Sequence, residues 1–263
     1  MKTQTGECRL CRKTRILHNS HFMPRSLYKL LRDSARKNPN PIFMNKAKTG
    51  TTSKQVTDYV FCTECEDRFG KRESYMTSLL GHGSRFPLEN RMKIALPFKT
   101  HAKSAEYLAD SLGVEADKIA CFALSLLWRA AIHQWDDPFG GKSQEIDLGE
   151  AKEPIRDYIL DKGAFPVNVA VIVHVCADKL SREAIVFPCL GSDSETIFEV
   201  LTAGIHFFVP IGASINPDRR AMCCMKSVMR SIFLRNCQDR LVQHYGDIEK
   251  TSQRTKAVKV EWP

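Results

Sequence analysis

Two pairs of cysteines have the type and spacing that bind a metal ion. Cys8 with Cys11, and Cys62 with Cys65, each form a C-x-x-C motif, and 50 residues separate the two motifs. Each motif can present two thiolates to one ion, so two motifs complete a tetrahedral zinc site. Such a site has no open coordination position, and the zinc is therefore expected to be structural. A dithiol redox motif is the alternative interpretation, but neither pair lies in a predicted βαβ context.

Residues with catalytic potential lie between and after these motifs. The chain runs Ser20-His21-x-x-Pro24 after the first pair, and Glu66 follows the second pair at the start of a predicted helix. A neutral histidine can take a proton from water near pH 7. A carboxylate such as Glu66 offers the oxygen ligands that Mg²⁺ and Mn²⁺ prefer. Glu73, seven residues further on, is predicted to share its helical face.

The order of these motifs resembles the HNH endonuclease family over roughly residues 6–76. Cysteine-bearing members of that family run C-x-x-C, Asp/His-His-x-x-Pro, an Asn, then C-x-x-C-His. The resemblance implies a small ββα-metal unit in which zinc knuckles hold a hairpin against a helix. It also implies that His21 is the general base and that Glu66 binds a catalytic Mg²⁺ or Mn²⁺. Glu73 and His18 are further candidate ligands of this metal ion. Alternatively, Glu73 holds the His21 ring in the right tautomer for its role as a base.

The sequence departs from the family pattern at three places. Ser20 stands where the family has an acidic or histidine ligand, and Gly70 stands where it has a second helical histidine. Thr57 and Asp58 stand where its Asn is expected. Two hypotheses therefore stay beside the nuclease: a zinc-stabilised nucleic-acid-binding protein without catalysis, and a zinc-bearing scaffold that binds only protein.

The distribution of charge points to a polyanionic partner. The 263 residues carry a formal net charge of +9, but residues 1–100 hold 20 Lys and Arg against 8 Asp and Glu. Nucleic acid is the expected partner, DNA in preference to RNA, and a solvated lysine-rich surface is the alternative. The residues predicted to contact phosphates are Arg25, Lys29, Arg32, Arg36, Lys37, Lys46, Lys48 and Lys54.

The elements that must position these residues indicate an α+β fold. A zinc-binding HNH-like domain is predicted over 1–86, a connector over 87–100, and an α+β domain of unknown role over 101–263. In the last part, helices are predicted at 102–112, 115–134 and 152–162. Strand composition at 167–176, 184–190, 196–202 and 205–211 then predicts an antiparallel sheet. This part is a candidate surface for a protein partner or for homo-oligomer formation.

Hydropathy and cysteine usage indicate the compartment. No stretch reaches the roughly 18 apolar residues of a membrane helix, and the N-terminal residues resemble no secretory signal. Ten cysteines in such a chain indicate a reducing compartment, so a cytoplasmic location is expected. The predicted function is a metal-dependent HNH-type endonuclease, and a role in restriction or phage defence is suggested by analogy alone.

Overall fold

The computed structural model describes residues 4–32, 40–44, 48–80, 86–143, 145–191, 196–225, 229–251 and 253–254. Within these residues the helices are α1 Arg25–Leu30, α2 Thr63–Leu80, α3 Pro87–Ile94, α4 Ala116–Ile132, α5 Lys152–Ile159, α6 Lys179–Arg182, α7 Pro217–Ala221 and α8 Gln238–Thr251. The strands are β1 Gln4–Glu7, β2 Thr14–His21, β3 Ile42–Met44, β4 Lys48–Thr51, β5 Thr57–Cys62, β6 Lys99–His101, β7 Ser104–Leu108, β8 Ile172–Cys176, β9 Ile185–Leu190, β10 Ile197–Thr202, β11 Ile205–Pro210, β12 Ser231–Arg235 and β13 Gln253–Arg254. None of the helices in the described ranges has the length and apolar character needed to cross a bilayer.

The N-terminal part joins a three-stranded antiparallel sheet to a long helix. Strands β1, β2 and β5 form a three-stranded sheet in that order, and α2 begins at the residue after β5 ends. The register places His21 opposite Thr57 and Leu17 opposite Cys62. Helix α2 packs against β2 and β5 through buried residues such as Phe69, whose ring lies 5.0 Å from that of Phe61. Strands β2 and β5 and helix α2 therefore hold one another in place.

The C-terminal part is built on a seven-stranded sheet with the order β6-β7-β12-β8-β11-β10-β9. Its strands are rich in β-branched and aromatic residues, and every residue of β8 and β10 is buried. The four predicted strands, β8 to β11, pair antiparallel with one another as expected, and β12, which lies outside the predicted strands, runs parallel to β8. Strand β12 follows β11 in the chain but enters the sheet between β7 and β8, and that long return connection permits a parallel pair.

Strands β10 and β11 meet in a tight two-residue turn. Ala203 and Gly204 both have positive φ values, 47° and 102°, as a type I′ hairpin turn requires. A Cβ atom on Gly204 would lie 2.8 Å from the ring of Phe86. A side chain at Gly204 would therefore clash as well as strain the turn.

Helix α4 is the central element of the core. Nearly all of its residues are buried, and it packs against α2 and α5 and against β9 and β10 of the large sheet. One hydrophobic cluster includes buried residues from the N-terminal part, from α4 and from the large sheet. The segment 87–100 expected to connect two domains contains α3, whose Leu88 and Met92 belong to this cluster.

The helix predicted at 102–112 is wrong. Residues Ser104–Leu108 form β7, which pairs antiparallel with β12, and only Asp110–Leu112 form a 3₁₀ turn. The partner strand lies more than a hundred residues away in the chain, so local composition did not reveal it. The helices predicted at 115–134 and 152–162 are present as α4 and α5.

Candidate functional site

Four cysteine sulfurs come together at the junction of β1, β2, β5 and α2. The Sγ atoms of Cys8, Cys11, Cys62 and Cys65 all lie within 4.8 Å of one another. The Sγ atoms of Cys11 and Cys62 are 3.8 Å apart. In a tetrahedron with zinc–sulfur bonds of about 2.3 Å, neighbouring sulfurs are separated by about 3.8 Å. The prediction that both C-x-x-C pairs meet at one point is confirmed, and the cluster can bind a metal ion such as zinc.

Backbone geometry and a distant helix hold the first cysteine pair in place. Arg12 has φ 62°, which closes a turn in which its N–H donates to the Cys8 carbonyl at 2.8 Å. The Arg156 side chain of α5 donates from Nε to the Leu10 carbonyl at 2.7 Å. Hydrogen bonding from Cys65 lowers the pKa of the Cys8 thiol to about 4, while the same hydrogen bond and burial raise the pKa of Cys65, so one thiolate of this pair is favoured. Metal binding requires thiolates, so the cluster is suited to a metal ion.

His21 lies at the end of β2, half-buried beside helix α2. Burial lowers its pKa below the ordinary histidine value, and the charge of Arg25 lowers it further. The carboxylate of Glu73 and a hydrogen bond with Gln55 act in the opposite direction. The net lowering keeps the imidazole neutral at pH 7 and so leaves it able to accept a proton.

Glu66 lies in the first turn of α2 and turns its carboxylate toward β2. Burial raises its pKa above the ordinary glutamate value, and the charge of Arg129 and the nearby Ser20 hydroxyl offset this only in part. Its Oε1 atom is buried and has no hydrogen-bond partner among the described residues. A buried carboxylate oxygen without a partner is costly, so this atom is a candidate ligand atom for a cation.

Glu73 is engaged in an ion pair that sequence reasoning did not anticipate. Nη2 of Arg129 on α4 donates to Glu73 Oε1 at 2.5 Å. Nη1 of the same guanidinium donates to the carbonyls of His21 at 3.2 Å and Phe22 at 2.9 Å. The guanidinium also lies 4.2 Å from the centroid of the Phe69 ring. The available signal in the sequence was an arginine within the strongly apolar part of the helix, after Asp117 and Lys118.

Two further histidines lie around the hairpin. His18 is exposed, and its Nε2 lies 2.7 Å from the hydroxyl of Thr63 at the start of α2. The charge of His18 acts on Glu66, so the two side chains are near one another. His133 follows α4, and its Nε2 lies 2.6 Å from Oδ2 of Asp58 on β5. Asp58 therefore connects β5 to the end of α4.

The predicted nucleic-acid contacts are placed only in part. Arg36, Lys37 and Lys46 lie outside the described residues. Of the others, Arg25, Lys29 and Arg32 are exposed on and just after α1, and Lys48 and Lys54 are exposed on and after β4. Lys48 Nζ lies 5.1 Å from the centroid of the Phe139 ring. Arg25 is close enough to His21 for its charge to lower the histidine pKa.

Comparison with known proteins identifies no family for this chain. No protein-family model, no curated protein and no solved structure matches this chain. The function must therefore be argued from the residues of the site.

Proposed function

We propose that this protein is a metal-dependent endonuclease of HNH type that hydrolyses phosphodiester bonds in nucleic acid. The observation that supports it best is the placement of His21 beside the helix that carries Glu66. The imidazole has a lowered pKa, and the carboxylate has a buried oxygen without a partner among the described residues. A neutral base and a candidate cation ligand on two elements that pack together are the pairing that hydrolysis of a phosphodiester requires.

In this proposal His21 takes the proton from a water molecule as the water oxygen attacks phosphorus. The bond to the 3′-oxygen breaks, and that oxygen leaves. Glu66 would hold the catalytic Mg²⁺ or Mn²⁺, with His18 as the nearest additional donor on the hairpin. When bound, such an ion neutralises charge on the phosphoryl group and on the leaving oxygen.

We assign Glu73 a positioning role and not the role of a metal ligand. Its carboxylate is paired with Arg129, whose other nitrogen donates to the His21 carbonyl. The ion pair thereby holds the end of β2, and with it the backbone of the base, against α2 and α4. The charge of Glu73 also partly offsets the lowering of the His21 pKa.

The four cysteines are proposed to hold a structural Zn²⁺. Four thiolates leave no position for water or substrate, so this ion would stabilise the unit and take no part in hydrolysis. The ion would join the turn after β1, the end of β5 and the first turn of α2.

The exposed cations on α1 are the proposed first contacts with the phosphate backbone. Arg25 is nearest to His21, and Lys29 and Arg32 follow on the same short segment. Lysine and arginine at such positions attract any nucleic acid without reading its sequence. We propose DNA as the substrate in preference to RNA.

A nucleic-acid-binding protein without catalysis is the second candidate function. The specific observation in its favour is that Arg129 places a positive charge next to both Glu66 and Glu73. Ser20 stands in place of the usual charged ligand, and its hydroxyl donates to the His18 carbonyl at 3.3 Å. A site that holds an internal cation needs no metal ion to neutralise its carboxylates.

The test is cleavage of supercoiled plasmid and of structured RNA by the full chain, with and without Mn²⁺. The parent protein should nick the plasmid only with the metal, and His21→Ala should lose at least about a hundredfold in rate. His101→Ala is the matched control, since His101 is exposed on β6 far from the hairpin.

Binding of a labelled duplex to the same variants separates the two candidates. Under the nuclease proposal, His21→Ala binds as the parent does but no longer cuts. If the parent binds the duplex with a steep salt dependence but never cuts, the second candidate replaces the nuclease. If His21→Ala cuts as fast as the parent, the proposed role of His21 is wrong.

A further inference from the structure

A second cluster of reactive side chains lies on one face of the large sheet, away from the cysteine cluster. His206 on β11 is the register partner of His174 on β8, and Cys176 is two residues further along β8. Cys237 follows β12, whose Arg235 is the register partner of Cys176. Because alternate residues of a strand share a face, these side chains converge on the same side of the sheet.

A buried ion pair sets the electrostatics of this cluster. Nε2 of His206 lies 3.1 Å from Oε2 of Glu199, and both side chains are at most 10% exposed. Burial lowers the pKa of His206, but its hydrogen bonds to Cys237 and Glu199 reverse this, so that the net pKa is raised. The cationic form of the imidazole is thus favoured beside a thiol.

Two partners favour the thiolate form of Cys237. A hydrogen bond from Cys176 and a hydrogen bond from His206 lower the pKa of Cys237 to about 6. Burial raises the pKa of Cys176 well above its ordinary value, and the hydrogen bond to Cys237 raises it further. One thiol of the pair is therefore ionised at neutral pH while the other carries the proton.

A small cavity gives access to Cys237 and limits what can reach it. The cavity has a volume of about 30 Å³, and its lining includes Cys189, Glu199, His206 and Cys237. Such a volume admits about one or two molecules of the size of water. It excludes peptides, nucleotides and acyl substrates, which need sites of at least about 300 Å³.

We propose that Cys237 is a peroxide-reactive thiol, with His206 and Glu199 as its positioning pair and Cys176 as its resolving thiol. The Cys237 thiolate attacks one oxygen of hydrogen peroxide, the O–O bond breaks, and Cys237 becomes a sulfenic acid as hydroxide leaves. The Cys176 thiol then attacks the Cys237 sulfur. A disulfide forms, and the Cys176 proton and the sulfenic hydroxyl leave as water. Two electrons pass from the two thiols to the peroxide.

The test exposes the zinc-loaded full chain to small excesses of hydrogen peroxide, blocks free thiols, and maps every cysteine by peptide mass spectrometry. A disulfide between the Cys176 and Cys237 peptides should be the first product. In Cys176→Ser, dimedone should label Cys237 as a sulfenic acid. Zinc release is followed in the same samples, so that oxidation of the four-cysteine cluster is distinguished from the reaction at Cys237.

Two further variants test the positioning pair. His206→Gln should slow oxidation of Cys237 by about tenfold or more because the cation that favours the thiolate is lost. Cys189→Ser is the matched control, since Cys189 lines the same cavity but contacts the backbone of Glu199. Near-ultraviolet circular dichroism establishes that each variant is folded. If His206→Gln does not fold, dimedone labelling of Cys237 in Cys176→Ser still tests the proposal.

Three results would overturn the proposal. The first is a Cys237 that reacts no faster than Cys121, which is buried in α4. The second is an oxidised Cys237 that pairs with Cys189 in place of Cys176. The third is a His206→Gln variant that oxidises at the parent rate.

Discussion

Arg129 on helix α4 donates from Nη2 to the carboxylate of Glu73 on helix α2 at 2.5 Å, and its side chain is only 2% exposed. The same guanidinium donates to two carbonyls at the end of β2. One arginine thus joins the core helix of the C-terminal part to both elements that carry the candidate catalytic residues. The geometry of the site therefore depends on packing between the two halves of the chain.

Replacement of Arg129 should destabilise the whole protein. Arg129→Gln leaves the Glu73 carboxylate without its cation and removes the two hydrogen bonds that Nη1 makes to the His21 and Phe22 carbonyls, so the free energy of unfolding should fall by about 3 kcal/mol. Urea denaturation measures the change. Lys118→Gln, which breaks an exposed ion pair on the same helix, should cost less than about 0.5 kcal/mol. Equal effects of the two substitutions would contradict the role given to Arg129.

Zinc should be bound by the four-cysteine cluster at one ion per chain. Cys62→Ser should lose the ion and lower the melting temperature, because the cluster joins β5 to α2 and to the turn after β1. Elemental analysis and thermal unfolding measure both effects. Cys121→Ser is the control, since Cys121 is buried in α4 and should leave the metal content unchanged. A protein that keeps its zinc after loss of Cys62 would refute the assignment.

Glu66 should be required for metal-dependent cleavage but not for zinc. Glu66→Gln keeps the shape of the side chain and removes the charge that attracts Mg²⁺ or Mn²⁺, so cleavage should fall by about a hundredfold or more. Zinc content should remain that of the parent. Glu64→Gln is matched to it, because Glu64 lies in the same helical turn but is exposed and paired with Arg15. If both substitutions leave cleavage intact, Glu66 does not bind the catalytic ion.

Asp58 should contribute stability that depends on pH. Although burial raises its pKa, the hydrogen bonds from His133 and from the Tyr59 N–H lower it below the ordinary aspartate value. A lowered pKa in the folded state gives a contribution that is present above about pH 4 and is lost as the pH falls through the folded value. Asp58→Asn should therefore lose less stability than the parent between about pH 5 and pH 3. Thermal unfolding across this range measures the difference.

Identical pH profiles for Asp58→Asn and the parent would show that the pair with His133 contributes nothing to acid stability. At neutral pH the substitution should cost about 1 kcal/mol or less, because both side chains of the pair are partly exposed. His101→Gln, which alters an exposed histidine–glutamate contact on β6, serves as the comparison.

The sequence alone determined the features that depend on local spacing. The two C-x-x-C motifs predicted a four-sulfur cluster, because the chemistry of thiolates and the geometry of each turn need no further context. The strongly apolar residues 115–134 predicted a helix that is present as α4, and the helix predicted from Cys65 is present as α2, which begins at Thr63. Strand composition likewise identified β8, β9, β10 and β11.

Only the tertiary structure decided the features that join distant parts of the chain. The sequence analysis did not single out Arg129, because its partners Glu73, His21 and Phe22 lie over fifty residues away in the chain. The strand at Ser104–Leu108 forms because β12 offers it a partner, and that pairing overrides its local preference. Cys237, His206 and Glu199 meet because the register of the large sheet places them on one face. Contacts of this kind arise from packing between elements that are distant in the chain, and they cannot be predicted from residue types and spacing alone.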